Sequence, residues 1–258
     1  MSQWLTLLQK EILEMWRNFK WIWVPITFIL LGVSEPLSSY YLPQIIDSLG
    51  GLPEGTVIEI PTPTAPEVLF QSISQYSTIG LLIIVLTSMG LIAAERKSGV
   101  AELILVKPVS YFSYITAKWV GAVLLLWFSY FLGMVSSWYY IWILFDFIPF
   151  TDFLVSVALF GLWLTFVLTI TVFFNAIFKS PGVVGFVSMA TVILVNLVSG
   201  MLKTVLEWSP AQLPSYTNVY LLSGNLSEAA WGSITVSLIG LPLLLALAIY
   251  IFKNKELV

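Results

Sequence analysis

Few residues in this chain have side chains suited to chemistry. It contains no histidine and no cysteine, which removes thiol nucleophiles, disulfides, imidazole bases and zinc sites of the Cys/His type. What remains is one carboxylate inside an apolar run, Glu35, two amides in such runs, Asn175 and Asn196, and one dense polar stretch, ERKSGVAELILVKPVSYFSYITAK at residues 95–118. An ionisable group at membrane depth is costly unless it meets a substrate, proton or counter-ion, which makes Glu35 a candidate for a translocation path or outer gate. Against that stands its depth: at about 1.5 Å per residue Glu35 falls in the outer third of its run, beside Pro36, where the helix can end and a carboxylate can sit among headgroups. Asn175 and Asn196 suit either the same path or hydrogen bonds between helices.

In the stretch at 95–118, Gly99 suits the C-terminal cap of one helix, and Pro108 disfavours helix at Lys107. A short apolar helix over residues 100–106 is left between them, and Ser110 can cap the next helix. Val100, Leu103 and Ile104 would then be offered to a partner, at the end of two long helical levers. The competing reading is a turn on the inner leaflet whose bases meet lipid headgroups.

The elements that hold these residues follow from composition. Apolar residues make up 59% of the 258 residues, charged residues 10%, and mean hydropathy is +0.94, whereas a soluble domain carries about 25% charged residues. The excess apolar surface requires lipid or apolar neighbours. Six windows reach the roughly 20 residues of a helical span: 21–42, 75–94, 119–145, 153–178, 182–202 and 231–252. Backbone groups in lipid must be satisfied internally, so these are helices. The predicted class is an all-α integral membrane protein in a single transmembrane domain. With the N-terminus inside, ten of the eleven Lys and Arg residues fall on the cytoplasmic side, which places both termini in the cytoplasm of a multi-pass protein. The net charge of −3 hides this asymmetry, and nucleic-acid binding has no support.

The first apolar run begins only at Trp21 and no A-x-A-like site follows it, which argues for a span and against a signal peptide. Residues 1–20 read as an interfacial helix, with Leu5, Leu8, Ile12, Met15, Trp16 and Phe19 on one face and Gln3, Lys10, Glu14 and Arg17 opposite. Residues 43–74 read as a Pro-rich, acidic external loop in which 56–60 alternates as a short strand would. Residues 203–230 are amphipathic, and read either as a re-entrant segment over the exit or as a surface loop.

The run Glu95-Arg96-Lys97-Ser98-Gly99, then Glu102-Leu103-Ile104-Leu105, Lys107-Pro108-Val109-Ser110 and Lys118 resembles the ABC-2 family of permeases, the membrane subunits of ATP-binding-cassette exporters. Layout and length are similar to the small Bacillus-type permeases that work with a separate ATPase. The resemblance implies a type V exporter fold with an N-terminal elbow helix, in a bacterial cell membrane. It implies that the chain is no enzyme and binds no cofactor, because ATP and Mg would be bound by two copies of a partner ATPase, which agrees with the absence of a G-x-x-x-x-G-K-[ST] loop. A second permease, identical or related, would complete the complex in membrane lipid. It further implies that the helix at 100–106 is the coupling helix, with Glu95, Gly99, Val100, Glu102, Leu103, Ile104, Lys107 and Pro108 engaging the ATPase or passing on its motion. An amphipathic or hydrophobic cargo (drug, peptide or lipid) fits the uncharged spans. The alternatives are a gradient-driven secondary transporter and a non-transporting immunity or sensor protein.

Overall fold

The computed structural model describes residues 3–48, 63–106 and 109–256. The strand expected at 56–60, and Lys107 and Pro108, lie outside the described residues. Among the described residues there is no strand, and six helices are long and apolar enough to cross a membrane.

Helix α1 (Gln3–Arg17) is separated from α2 (Lys20–Ser48) by a break at Phe19, whose φ of 57° is left-handed. The second crossing is assembled from pieces: α3 (Ala65–Gln75), a π-helical turn (Tyr76–Gly80), α4 (Leu81–Ser88), a non-helical break at 89–92, and α5 (Ala93–Lys97). Helix α6 (Val100–Leu105) precedes the long α7 (Tyr111–Leu144) and α8 (Phe150–Ile177). Then come α9 (Pro181–Met201), a 3-10 turn (Pro210–Gln212), α10 (Leu213–Ser223) and α11 (Glu228–Glu256).

Three boundaries differ from the sequence expectation. Helix α2 passes through Pro36 and Pro43, because an internal proline costs one hydrogen bond and a bend but need not end a helix whose flanking turns are packed. The second crossing starts at Ala65 rather than 75, since Glu67 accepts hydrogen bonds from the Thr64 amide at 2.8 Å and hydroxyl at 2.9 Å, a cap on the helix N-terminus. Helix α7 starts at Tyr111, where the Ser110 hydroxyl accepts from the Ser113 amide at 3.0 Å as expected of a cap, so Lys118 lies inside a helix.

The core is centred on α8, apolar on all sides, with 72% of the residues in its apolar 18-residue stretch buried against 17% for that of α11. Two indoles lock α7 onto it: Trp119 donates to the Thr169 hydroxyl at 2.9 Å and Trp127 to the Thr165 hydroxyl at 3.0 Å. Helices α2 and α7 cross where Gly32 meets Gly133, close enough that a methyl group on Gly32 would lie 2.1 Å from the Gly133 carbonyl oxygen. Residues 203–230 fold back onto the bundle. Leu213, Thr217 and Tyr220 of α10 are buried, the Gln212 amide donates to the Ser199 carbonyl at 2.6 Å, and the Tyr220 hydroxyl donates to Asp152 at 3.0 Å.

Candidate functional site

Helix α1 and the C-terminal part of α11 lie at one end of the bundle, where they meet α5 and α7. Helix α1 lies on α7 through Trp4, whose indole donates to the Thr116 hydroxyl at 3.0 Å, and through Met15, whose methyl would be 3.2 Å from a methyl group on Gly121. Glu11 and Met15 are the buried residues of α1. Of the apolar stripe read from the sequence, Leu5, Trp16 and Phe19 are exposed, and the side of α1 that faces the protein is centred on a carboxylate.

That carboxylate belongs to a ring of alternating charge. The ammonium of Lys118, 2% exposed, lies 2.8 Å from Glu11 Oε1 and 2.9 Å from Glu95 Oε1. Lys10 bridges the same two oxygens, at 3.0 Å from Glu11 and in close contact with Glu95, and reaches Glu14 at 3.1 Å. The Tyr114 hydroxyl donates to the other Glu95 oxygen at 2.5 Å. Burial disfavours the charged form of Lys10, yet its hydrogen bond to Glu95 and the charges of Glu11 and Glu95 outweigh that and hold its pKa above the ordinary lysine value. Carboxylate oxygens of Glu11, Glu14 and Glu95 lie within 4.8 Å of one another, a spacing that suits a metal ion, but the two ammonium groups already occupy the cation positions. The arrangement is mechanical chemistry: three helices joined by buried charges that are costly to separate.

The next residue faces elsewhere. Arg96 donates to the Ala176 carbonyl at the C-terminal end of α8 at 3.0 Å and lies 5.3 Å from the centre of the Phe252 ring of α11. Phe252 in turn stacks on Tyr114 at 5.6 Å, and Lys255 donates to the Ile177 carbonyl at 2.8 Å. Cations on the last carbonyls of α8 match the negative end of its dipole.

Helix α6 hangs from this node. Gly99, at φ 77°, turns the chain out of α5, and beyond it Val100, Leu103 and Val106 project outward, Leu103 being 71% and Val106 85% exposed. A groove of about 480 Å³ separates α6 from α1, lined by Leu7, Lys10, Val100, Leu103, Ile104 and Val109. Glu102 is exposed on the same short helix.

Residues 54–250 match the family described as ABC-2 family transporter protein. The chain belongs to the ABC-2 transporter family. It is also 32% identical over 252 residues, 98% of each chain, to the Bacillus subtilis (strain 168) protein described as uncharacterized transmembrane protein YxlG. Membership of the ABC-2 family implies association with an ABC ATPase.

The remaining candidates of this ABC-2 protein are scattered. Glu35 is half-buried midway along α2, which continues past Pro36, and no hydrogen bond or ion pair holds it among the described residues. Asn196 is half-buried and donates to the Val192 carbonyl of its own helix at 2.9 Å. Asn175 is fully buried and makes four hydrogen bonds to backbone groups. Sequence reasoning missed Glu11, Tyr114, Lys118 as an ion-pair centre, and Phe252. The available signal for Glu11 was its position in line with Leu8 and Met15 at helical spacing, a charge inside an apolar stripe.

Proposed function

We propose that this chain is the permease subunit of an ABC exporter, driven by a separate ATPase that binds ATP and Mg and docks on α6. The carrying observation is the contrast within one short stretch: Leu103 and Val106 are open to solvent, while Glu95 and Arg96, a few residues before them, are buried and bound to four other helices. Force applied to α6 is therefore delivered to α1, α7, α8 and α11 together. The distribution of bases supports placing this end in the cytoplasm and the α10 end outside. The exposed Leu5 and Trp16 of α1, with Phe19 at the break after it, suit an interfacial elbow helix. Two ATPase copies and a second permease, identical or related, complete the assembly, and the uncharged spans suit an amphipathic or hydrophobic cargo such as a drug, peptide or lipid.

The test is purification of the tagged chain in mild detergent from its native membrane, followed by mass spectrometry of what accompanies it. A P-loop ATPase at one copy per permease, lost in Leu103→Asp, is the expected result. Recovery of the chain alone, with transport that follows a proton or sodium gradient and ignores ATP, overturns it. Glu35, unpaired at mid-helix, is the observation favouring that gradient-driven reading.

A further inference from the structure

The second crossing does not reach α6 as a continuous rod. Helix α4 ends at Ser88 and α5 begins at Ala93, so the backbone groups around the break need partners from outside the helix. Asn175 of α8 supplies most of them. Its amide nitrogen donates to the Ser88 carbonyl at 3.1 Å and to the Thr171 carbonyl of its own helix at 2.9 Å. Its oxygen accepts from the amides of Ile92 at 3.1 Å and Ala93 at 3.0 Å. One side chain thus holds the last turn of α4 with one atom and the first turn of α5 with the other. Lys20 of α2 covers the adjacent Thr87 carbonyl at 2.8 Å.

The surroundings leave the break room to turn. Met89 sits against α9 at Gly185, where a methyl group would lie 2.8 Å from its sulfur, a contact a flexible thioether can slide along. A cavity of about 280 Å³ opens beside the break, lined by Glu14, Asn18, Lys20, Thr87, Gly90 and Ala94. It lies between α5 and α1.

We propose that the break at 89–92 is the hinge on which α5 and α6 turn as one unit, and that Asn175 is the positioning residue that pins it. The inference rests on the exporter reading for what drives the turn, but the hinge itself belongs to this chain. Pulling on α6 opens the Ile92 and Ala93 side of the Asn175 contacts while the Ser88 side stays on α4. The Asn175 hydrogen bonds act together with the Glu95 and Arg96 anchors, and both sets are loaded when α5 turns.

The chain has no cysteine, so spin labels report cleanly from introduced pairs. A pair at Leu13→Cys and Ser98→Cys crosses the hinge, and a pair at Leu13→Cys and Phe112→Cys does not. In lipid nanodiscs the pair across the hinge should give a narrow distance distribution in the parent, a broad one in Asn175→Leu, and an intermediate one in Asn175→Asp, which keeps the acceptor but loses the donor. The control pair should stay unchanged in all three. In the complex with the co-purifying ATPase, trapping ATP should shift the hinge distance in the parent, and Asn175→Leu should lose that shift and the stimulation of ATPase activity while the ATPase stays bound. Identical hinge distributions in parent and Asn175→Leu overturn the proposal, as does equal broadening of both pairs, which marks general loosening. Should Asn175→Leu fail to fold, Asn175→Asp carries the same comparison. An unsubstituted complex that shows no ATP-driven shift overturns the exporter reading instead, and the hinge is then judged by the nanodisc distances.

Discussion

Glu95 and Arg96 are neighbours in sequence whose charges are held by different parts of the bundle: the Glu95 carboxylate lies 2.9 Å from Lys118 of α7, and the Arg96 guanidinium donates at 3.0 Å to the Ala176 carbonyl of α8. A short helix with two such anchors cannot shift toward one set of neighbours without loading the other. This is what makes α5 suited to pass a displacement of α6 into the membrane-crossing helices.

The ionic ring should therefore be sensitive to loss of one charge and tolerant of loss of a matched pair. Lys118→Met leaves Glu11 and Glu95 sharing one ammonium and should destabilise the chain by about 3–5 kcal/mol. Combining it with Glu11→Gln should recover part of that, a coupling read from thermal unfolding of the four proteins of the cycle in detergent. A Lys118→Met protein as stable as the parent would show that the ring contributes nothing.

Leu103 is 71% exposed, whereas Ile104 packs against the cluster formed by Tyr114, Ile115 and Phe252. Leu103→Asp should accordingly change stability by no more than about 0.5 kcal/mol, as surface substitutions do, while abolishing co-purification of the ATPase. Ile104→Asp should lose both. Thermal unfolding beside a pull-down separates the two, and a Leu103→Asp chain that still retains the ATPase would remove α6 as the docking element.

Much of this was legible in the sequence because its physics is local or compositional. Bilayer thickness sets the length of apolar runs, so six crossing helices follow from hydropathy, and Gly99 and Ser110 occupy the cap positions that their backbone preferences suggest. The Thr64 and Glu67 spacing was equally local, yet the prolines around it read as loop. The node itself was not legible, since Glu11 and Lys118 meet across 107 positions and a charge on an amphipathic helix is ordinarily assigned to water. The break at 89–92 lies within an apolar run, and hydropathy does not distinguish a continuous helix from one whose backbone is satisfied by an amide such as Asn175 on another helix.

Gly99 offers a test of conformation without packing. A methyl group there would meet nothing within 4 Å, while its φ is 77°. Gly99→Ala should cost about 1–2 kcal/mol of backbone strain, which the chain can relieve by reorienting α6. Gly99→Asn, a residue that tolerates this conformation, should cost less. In the assembled complex the expected order of ATPase stimulation is Gly, Asn, Ala, with the ATPase still bound in each; equal stimulation by all three would mean that the turn direction at Gly99 is irrelevant to coupling.

The crossing of α2 and α7 tests how closely the two helices must approach. A methyl group at Gly133 would lie 2.3 Å from the Tyr76 hydroxyl oxygen and 2.6 Å from the Phe28 carbonyl oxygen, and one at Gly32 would lie 2.1 Å from the Gly133 carbonyl oxygen. The Tyr76 hydroxyl donates to that same Phe28 carbonyl at 2.6 Å, from the first residue of the π-helical turn. Tyr76→Phe alone should cost about 1 kcal/mol, the net value of one hydrogen bond, and Gly32→Ala or Gly133→Ala should cost about 1–3 kcal/mol by overpacking. The pairs should then differ. Tyr76→Phe removes the nearest obstacle to a methyl group at Gly133, so that double substitution should be less destabilising than the sum of its parts. At Gly32 the nearest obstacle is the Gly133 carbonyl oxygen at 2.1 Å, with the Tyr76 hydroxyl second at 2.8 Å, so Tyr76→Phe should relieve it less. Thermal unfolding of both double-mutant cycles reads this directly, and equal additivity in the two would show that the Tyr76 hydroxyl does not sit in the crossing.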